Sequence, residues 1–227
     1  MSGALTVNET FYSIQGEGVR AGMPCVFVRL TGCHLRCHYC DTAYAFHEGQ
    51  QHTINQIVGQ VEQYHCDLVE VTGGEPLLQP NVHALMSRLC DLDKTVLIET
   101  SGTCDIAVCD PRVVRIMDIK TPASGQVHRN CWANIDHLAE RDEVKFVICD
   151  RRDYEWTRNC IRKHDIAPRV AAVLLSPASF VESGPDIAGV DGLALHDLTQ
   201  WVLQDQLPVR VQIQLHKLIW DPLARGV

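Results

Sequence analysis

Pro24-Cys25-Val26-Phe27-Val28-Arg29-Leu30-Thr31 is an apolar run that passes through Gly32 directly into Cys33-His34-Leu35-Arg36-Cys37-His38-Tyr39-Cys40. The first part has the length and the branched, aromatic content of a buried strand. The second places three cysteines at the end of that strand, with three and then two residues between them. Three thiolates this close suit one soft centre, either zinc or an iron-sulfur cluster, and reduced packing cysteines are the bland alternative. His34 and His38 offer zinc a fourth ligand. Adjacent residues such as Cys33 and His34 rarely aim both side chains at one small ion, which weakens that case. Spacing alone leaves all three open.

The same kind of strand recurs along the chain. Residues 67–73, 94–100, 113–120, 143–149 and 170–177 read as further apolar strands, and helical spacing of Ile54, Ile57, Val58 and Val61 predicts a helix over 53–64. Helices are also expected over 82–92 and 193–204, and at most one short helix over the weakly patterned 120–142. Alternation of Val209, Val211, Ile213 and Leu215 predicts an edge strand over 208–216. Six strands with helices between most of them predict an α/β fold around a parallel sheet, for which an open doubly wound sheet and an incomplete barrel fit equally well. Several strands end in polar clusters: Thr31-Gly32-Cys33, Thr72-Gly73-Gly74-Glu75, Glu99-Thr100-Ser101-Gly102, Asp118-Ile119-Lys120 and Ser176-Pro177. Parallel topology brings strand carboxyl ends to one face, so these clusters are expected to form one site.

The 227 residues carry 20 basic and 28 acidic side chains, a formal charge of -8, which argues against gripping a nucleic-acid backbone directly. At 46% hydrophobic and 21% charged residues the composition is that of a soluble globule, and no repeat, linker or charge block divides it. No window reaches membrane-spanning length, and the first residues lack a secretory pattern, so a cytoplasmic protein with no membrane partner is expected. Eleven cysteines are many for such a chain, but an odd number without need of disulfide staples points part of the sulfur to metal binding.

The run from Cys33 to Cys40, with an aromatic residue before its last cysteine, resembles the cluster loop of the radical S-adenosylmethionine (SAM) superfamily, and Gly73-Gly74-Glu75-Pro76 resembles that superfamily's second motif. Phe11 to Gly18 (FYSIQGEG), Cys40-Asp41-Thr42, Val71 to Pro76, Glu99 to Gly102 and Gln214-Leu215-His216-Lys217 are similar, more specifically, to the 7-carboxy-7-deazaguanine synthase family. The resemblance implies an incomplete (β/α)6-type radical SAM barrel with a C-terminal extension strand. It also implies one core domain over 1–227 with short N- and C-terminal substrate-binding extensions. The implied activity is a radical SAM lyase reaction: ring contraction of 6-carboxy-5,6,7,8-tetrahydropterin to 7-carboxy-7-deazaguanine with release of ammonia, on the route to queuosine. A [4Fe-4S] cluster, S-adenosyl-L-methionine and Mg2+ are the implied cofactors. A homodimer and a reducing partner such as flavodoxin are implied with them.

Roles follow from the same resemblance. Cys33, Cys37 and Cys40 are expected to bind three irons, and Gly73, Gly74 and Glu75 to hold the methionine amino group. Ser101, Asp118, Lys120 and Ser176 are placed with the cofactor, although Asp118 and Lys120 could equally bind each other. Gln15, Glu17, Arg29, Thr72 and His216 are expected on the substrate side, Arg29 as the partner of the pterin carboxylate. Thr42 is the expected magnesium ligand, against the plainer reading of Asp41-Thr42 as a helix cap. Cys25, Cys66, Cys90, Cys104, Cys109, Cys131, Cys149 and Cys160 are read as small packing residues, and the four scattered tryptophans as packing rather than a nucleic-acid stacking strip. The competing functions are a glycyl-radical enzyme activase, which would not require the SIQGEG or CDT motifs, and a non-catalytic zinc module, which leaves the strand-end clusters unused.

Overall fold

The computed structural model of the chain describes residues 3–221 and 224–227. In it the apolar run after Met23 is strand β2 (Pro24–Leu30), which pairs antiparallel with β1 (Ala4–Ile14) and parallel with β4 (Leu68–Gly73). A short β3 (Gln50–Thr53) flanks β1 on its other side. Beyond β4 lie β5 (Thr95–Thr100), β6 (Val114–Asp118), β7 (Glu143–Ile148), β8 (Ala172–Pro177) and a two-residue β9 (Arg210–Val211). The sheet order is β3-β1-β2-β4-β5-β6-β7-β8-β9, parallel from β2 onward. Its edges do not pair with each other, so the sheet is open, as an incomplete barrel requires.

The expected helices form α1 (Ile54–Glu62), α2 (Val82–Cys90) and α4 (Leu195–Asp205). A capping box in which Thr53 and Gln56 satisfy each other's backbone N–H starts α1, and its Ile54, Ile57, Val58 and Val61 turn to the sheet. A further helix, α3 (Arg151–Lys163), crosses from β7 to β8. Between β6 and β7 the chain makes three 3-10 turns in place of the single short helix expected there. Val69, Val71, Ile98, Val144, Phe146 and Leu175 are fully buried in the hydrophobic core.

The other face of the sheet carries the polar strand residues. Parallel register sets Arg29 beside Thr72, Asp118 beside Lys145 and Val147 beside Ser176. The turn after β1 reaches across the open side: Leu215 N donates to Gly16 O at 3.1 Å, and Gly18 N to Gln212 Oε1 at 2.8 Å. The predicted strand over 208–216 therefore ends at Val211. Gln212 and Gln214 turn their side chains onto this crossing, and the chain enters a one-turn helix, α5 (His216–Ile219).

Candidate active site

A cavity of about 410 Å³ opens on the polar face at the strand carboxyl ends, within the range of small-molecule sites. Each strand-end cluster predicted to converge contributes to its wall.

Cys33, Cys37 and Cys40 line one side of it. Arg36 holds their loop by donating to the carbonyls of Cys33 (3.0 Å) and Leu35 (2.7 Å) while its guanidinium lies 4.3 Å from the Phe46 ring centre. His38 N donates to Ser124 O at 3.1 Å. The β4 end presses against this loop. A Cβ on Gly74 would lie 2.7 Å from that of Cys33, and one on Gly73, where φ is +145°, would run into the Leu30 backbone. Burial pushes all three thiols up, that of Cys40 to about 12, while Lys120 works in the opposite direction on each. Bare thiolates are thus disfavoured unless a metal's positive charge replaces the proton, and three soft donors on a dewatered loop fit an iron-sulfur cluster. The histidines do not complete a zinc site. His34 Nε2 is 2.9 Å from Thr103 Oγ1, and the His38 ring packs on Gly125. Among the described residues no group of three or more His, Cys, Asp or Glu could hold a single metal ion.

Gly73 and Gly74 line the cavity, and Glu75 lies directly behind them. Its carboxylate, 1% exposed, accepts from Leu77 N (3.0 Å), Thr100 Oγ1 (2.9 Å), Ser101 N (2.7 Å) and Ser101 Oγ. Glu75 therefore clamps the β4 and β5 ends together, and Ser101, though on the wall, holds Glu75. Asp118 and Lys120 pair with each other at 2.8 Å, the second of the two options open to them, with the Lys120 ammonium 5.8 Å from the Tyr39 ring centre. Ser176 accepts from Gln212 Nε2 at 2.8 Å.

On the substrate side, Gln15, Glu17, Arg29, Thr72 and His216 all line the cavity. Arg29 does face it, with Nε on Glu9 at 2.8 Å. Gln15 is buried, its Nε2 donating to Glu70 and its Oε1 accepting from Glu17 N at 3.1 Å. Glu17 accepts from Gln212 (3.0 Å) and Gln214 (2.9 Å) and pairs with Lys145 at 2.5 Å; Lys145 also reaches Glu99 at 2.8 Å. Burial opposes the Lys145 charge, but Glu17 and Glu99 raise its pKa well above the usual lysine range. Burial also lowers the pKa of His216, which favours a neutral ring with one donor and one acceptor nitrogen. Glu70, Lys145 and Gln212 were not among the residues expected here. The available signal was a charge in the middle of an otherwise apolar strand, LVEVTG and EVKFVI, since buried charges require a specific reason.

Thr42 and Asp41 lie at the cavity rim, Thr42 Oγ1 donating to Asp41 at 2.9 Å. Desolvation works against the Asp41 carboxylate, but the Lys217 ammonium at 2.5 Å and the Thr42 hydroxyl hold its pKa well below the ordinary range. Hydroxyl and carboxylate together make a hard oxygen pair suited to magnesium. Thr42 also precedes the 3-10 turn Ala43–Phe46, without a side-chain capping bond.

An open, mostly parallel sheet with a three-cysteine loop at its carboxyl face defines a radical SAM enzyme, and the Radical SAM superfamily profile matches residues 27–122. The fold is that of the crystal structure of QueE from Escherichia coli, with a TM-score of 0.72 at 21% identity, covering 93% of this chain and 94% of that one. The chain is 45% identical to the 7-carboxy-7-deazaguanine synthase of Chlorobaculum tepidum, over 98% of this chain and 97% of that protein. It is 43% identical to the protein of that name from Koribacter versatilis, over 98% and 100%. The chain belongs to the 7-carboxy-7-deazaguanine synthase family.

Proposed function

We propose that this cavity carries out the family's ring contraction, converting 6-carboxy-5,6,7,8-tetrahydropterin to 7-carboxy-7-deazaguanine with loss of ammonia. The observation that carries it is the meeting, in one cavity, of a soft three-thiol loop with a face of amide, carboxylate and guanidinium groups matched to a pterin acid. Cys33, Cys37 and Cys40 would hold the [4Fe-4S] cluster, and the Gly73-Gly74 backbone, close against Cys33, would receive S-adenosylmethionine. When bound, these groups supply a carbon-centred radical able to take a hydrogen from the substrate. The chain's part is placement. Arg29 offers a planar fork to the pterin carboxylate, and Glu17 and His216 face the ring's nitrogen edge. Thr42 and Asp41 offer oxygen donors to Mg2+, which would orient the acid and screen its charge. Residues 1–227 act as one core domain with the β1 turn and the 212–217 segment as substrate-binding extensions, in support of which the nine strands among the described residues share one sheet. The same reading carries a homodimer, an external one-electron donor such as flavodoxin, and a cytoplasmic location. No helix among the described residues is long and apolar enough to cross a membrane.

Anaerobic turnover of the pterin with reductant, S-adenosylmethionine and magnesium tests the proposal. The expected result is product at many equivalents per S-adenosylmethionine, with isotope from C6-labelled pterin entering the cofactor pool. Cluster-loaded protein that cleaves S-adenosylmethionine but leaves the pterin intact would reject the substrate. For the metal, Thr42→Ala should weaken the magnesium dependence of turnover while iron and sulfide content stay at the wild-type level; an unchanged magnesium titration removes Thr42 from that role.

A further inference from the structure

Glu70 lies in the middle of β4, 4% exposed, and its side chain lines the cavity, flanked in register by Phe27 of β2 and Leu97 of β5. Its side-chain partner among the described residues is Gln15 Nε2, and the other end of that amide accepts from Glu17 N. Gln15 thus ties Glu70 to the backbone that presents Glu17. The charged and titratable groups facing Glu70 are Glu99 from β5, Glu17 from the β1 turn, Lys145 from β7 and the Cys25 thiol from β2. Lys145 is paired with Glu17 and Glu99. With all three carboxyls ionised, Lys145 is the ammonium paired among them, Lys120 and Arg29 act on Glu99 without pairing with it, and negative charge is left in excess in an enclosed space, which is costly. Among the described residues Glu70 is the one of the three carboxyls with no ion pair.

We propose that Glu70 works as the neutral acid and is a positioning residue for the pterin. It fixes the Gln15 amide, and by staying uncharged it leaves Lys145 to Glu17 and Glu99. The proposal rests on the assignment of Gln15 and Glu17 to the substrate side. Burial, reinforced by Glu99, raises the Glu70 pKa to about 8. Above that pH a third carboxylate competes for Lys145 and loosens Glu17. Two other cavity groups are shifted away from this range: burial pushes Tyr44 up to about 12 and His216 below the ordinary histidine value.

The test is the pH dependence of KM and kcat for the pterin in the reconstituted, magnesium-loaded holoenzyme. In the wild type, KM should rise about tenfold between roughly pH 7 and pH 9, as expected when only the protonated form of a group near pH 8 supports binding, with kcat moving far less. In Glu70→Gln the rise should vanish, because the amide keeps the hydrogen bond and cannot ionise. Glu70→Ala, which leaves Gln15 Nε2 without its acceptor, should raise KM about three- to tenfold at all pH values. Infrared difference spectra should show the carbonyl band of a protonated carboxyl group that disappears on alkalinisation and is missing in Glu70→Gln. An alkaline rise of KM that persists in Glu70→Gln, or the absence of that band in the wild type, overturns the proposal. If Gln15→Ala leaves KM unmoved, the substrate-side assignment falls and takes the proposal with it. If Gln15→Ala raises KM while Glu70→Gln follows the wild-type profile, the role of Glu70 alone is overturned.

Discussion

Gly16 belongs to the SIQGEG turn, and what it makes room for is the ring of His216, two hundred residues further along the chain. A Cβ at position 16 would overlap His216 Nδ1. The turn therefore needs its glycine because a substrate-facing histidine from the other end of the chain rests directly on it. Gly16→Ala is expected to displace the ring and lower kcat/KM for the pterin by at least about tenfold, since small misplacements at a reacting site are costly. Cluster content measured as iron and sulfide should match the wild type, because the cysteine loop lies outside this contact. Equal kcat/KM in the two proteins would show that His216 has no part in binding. Arg29 is argued in the same way. Its Nε is anchored by Glu9, so Arg29→Ala should raise KM for the pterin acid more than it lowers kcat, which initial-rate kinetics at varied substrate would read.

At the scale of elements, α3 supports the cluster loop through one buried carboxyl. Asp153, 1% exposed, accepts from Thr121 Oγ1 (3.0 Å), Ala123 N (2.9 Å) and Cys149 N (3.1 Å), and the turn it holds presents Ser124 O to His38 N. Asp153→Ala should strand these donors, cost on the order of 2–4 kcal/mol and lower both the melting temperature and the iron bound per chain. A wild-type melting curve would remove Asp153 from that role. The same residue explains why α3 was not singled out in the sequence. Its buried face mixes Asp153 and Thr157 with Tyr154, Cys160 and Ile161, so a search for an all-apolar stripe passes over the helix. β1 was missed because a register shift between Val7 and Glu9 interrupts its alternation, and β3 because all four of its residues are polar. The six core strands were legible because they are apolar on the helix-covered face over most of their length. The site was legible wherever its residues stand in contiguous motifs, as with the cysteines, Gly73-Gly74 and His216. Glu75 shows the limit: a motif locates a carboxylate at the site, but only the positions of Leu77, Thr100 and Ser101 reveal which donors hold it.

In the whole molecule the open side of the sheet is joined by side chains and the Leu215-to-Gly16 backbone bond rather than by a strand ladder. Glu17, on the turn after β1, reaches Lys145 on β7 and Gln212 and Gln214 beyond β9, so the first and last parts of the chain meet through one carboxylate. Lys145 is buried, and removing it leaves Glu17 and Glu99 without their cation. Lys145→Met should therefore destabilise the fold by about 3–5 kcal/mol at neutral pH. A cycle with Glu17→Gln should give a coupling energy of about 1–3 kcal/mol, read from urea unfolding of the two single variants and the double variant. The pH dependence has a definite sign. Although burial opposes its charge, Lys145 holds the Glu99 pKa below the ordinary glutamate value. The stability from that pairing is fully present above the ordinary carboxylate range and is lost as pH falls through the lower, native value. The stabilities of wild type and Lys145→Met should accordingly differ most near neutrality and converge on acidification. A difference that stays constant across the acid range, or a coupling energy of zero, would mean that the sheet is held open-sided by backbone contacts such as Leu215 to Gly16 without help from this charge bridge.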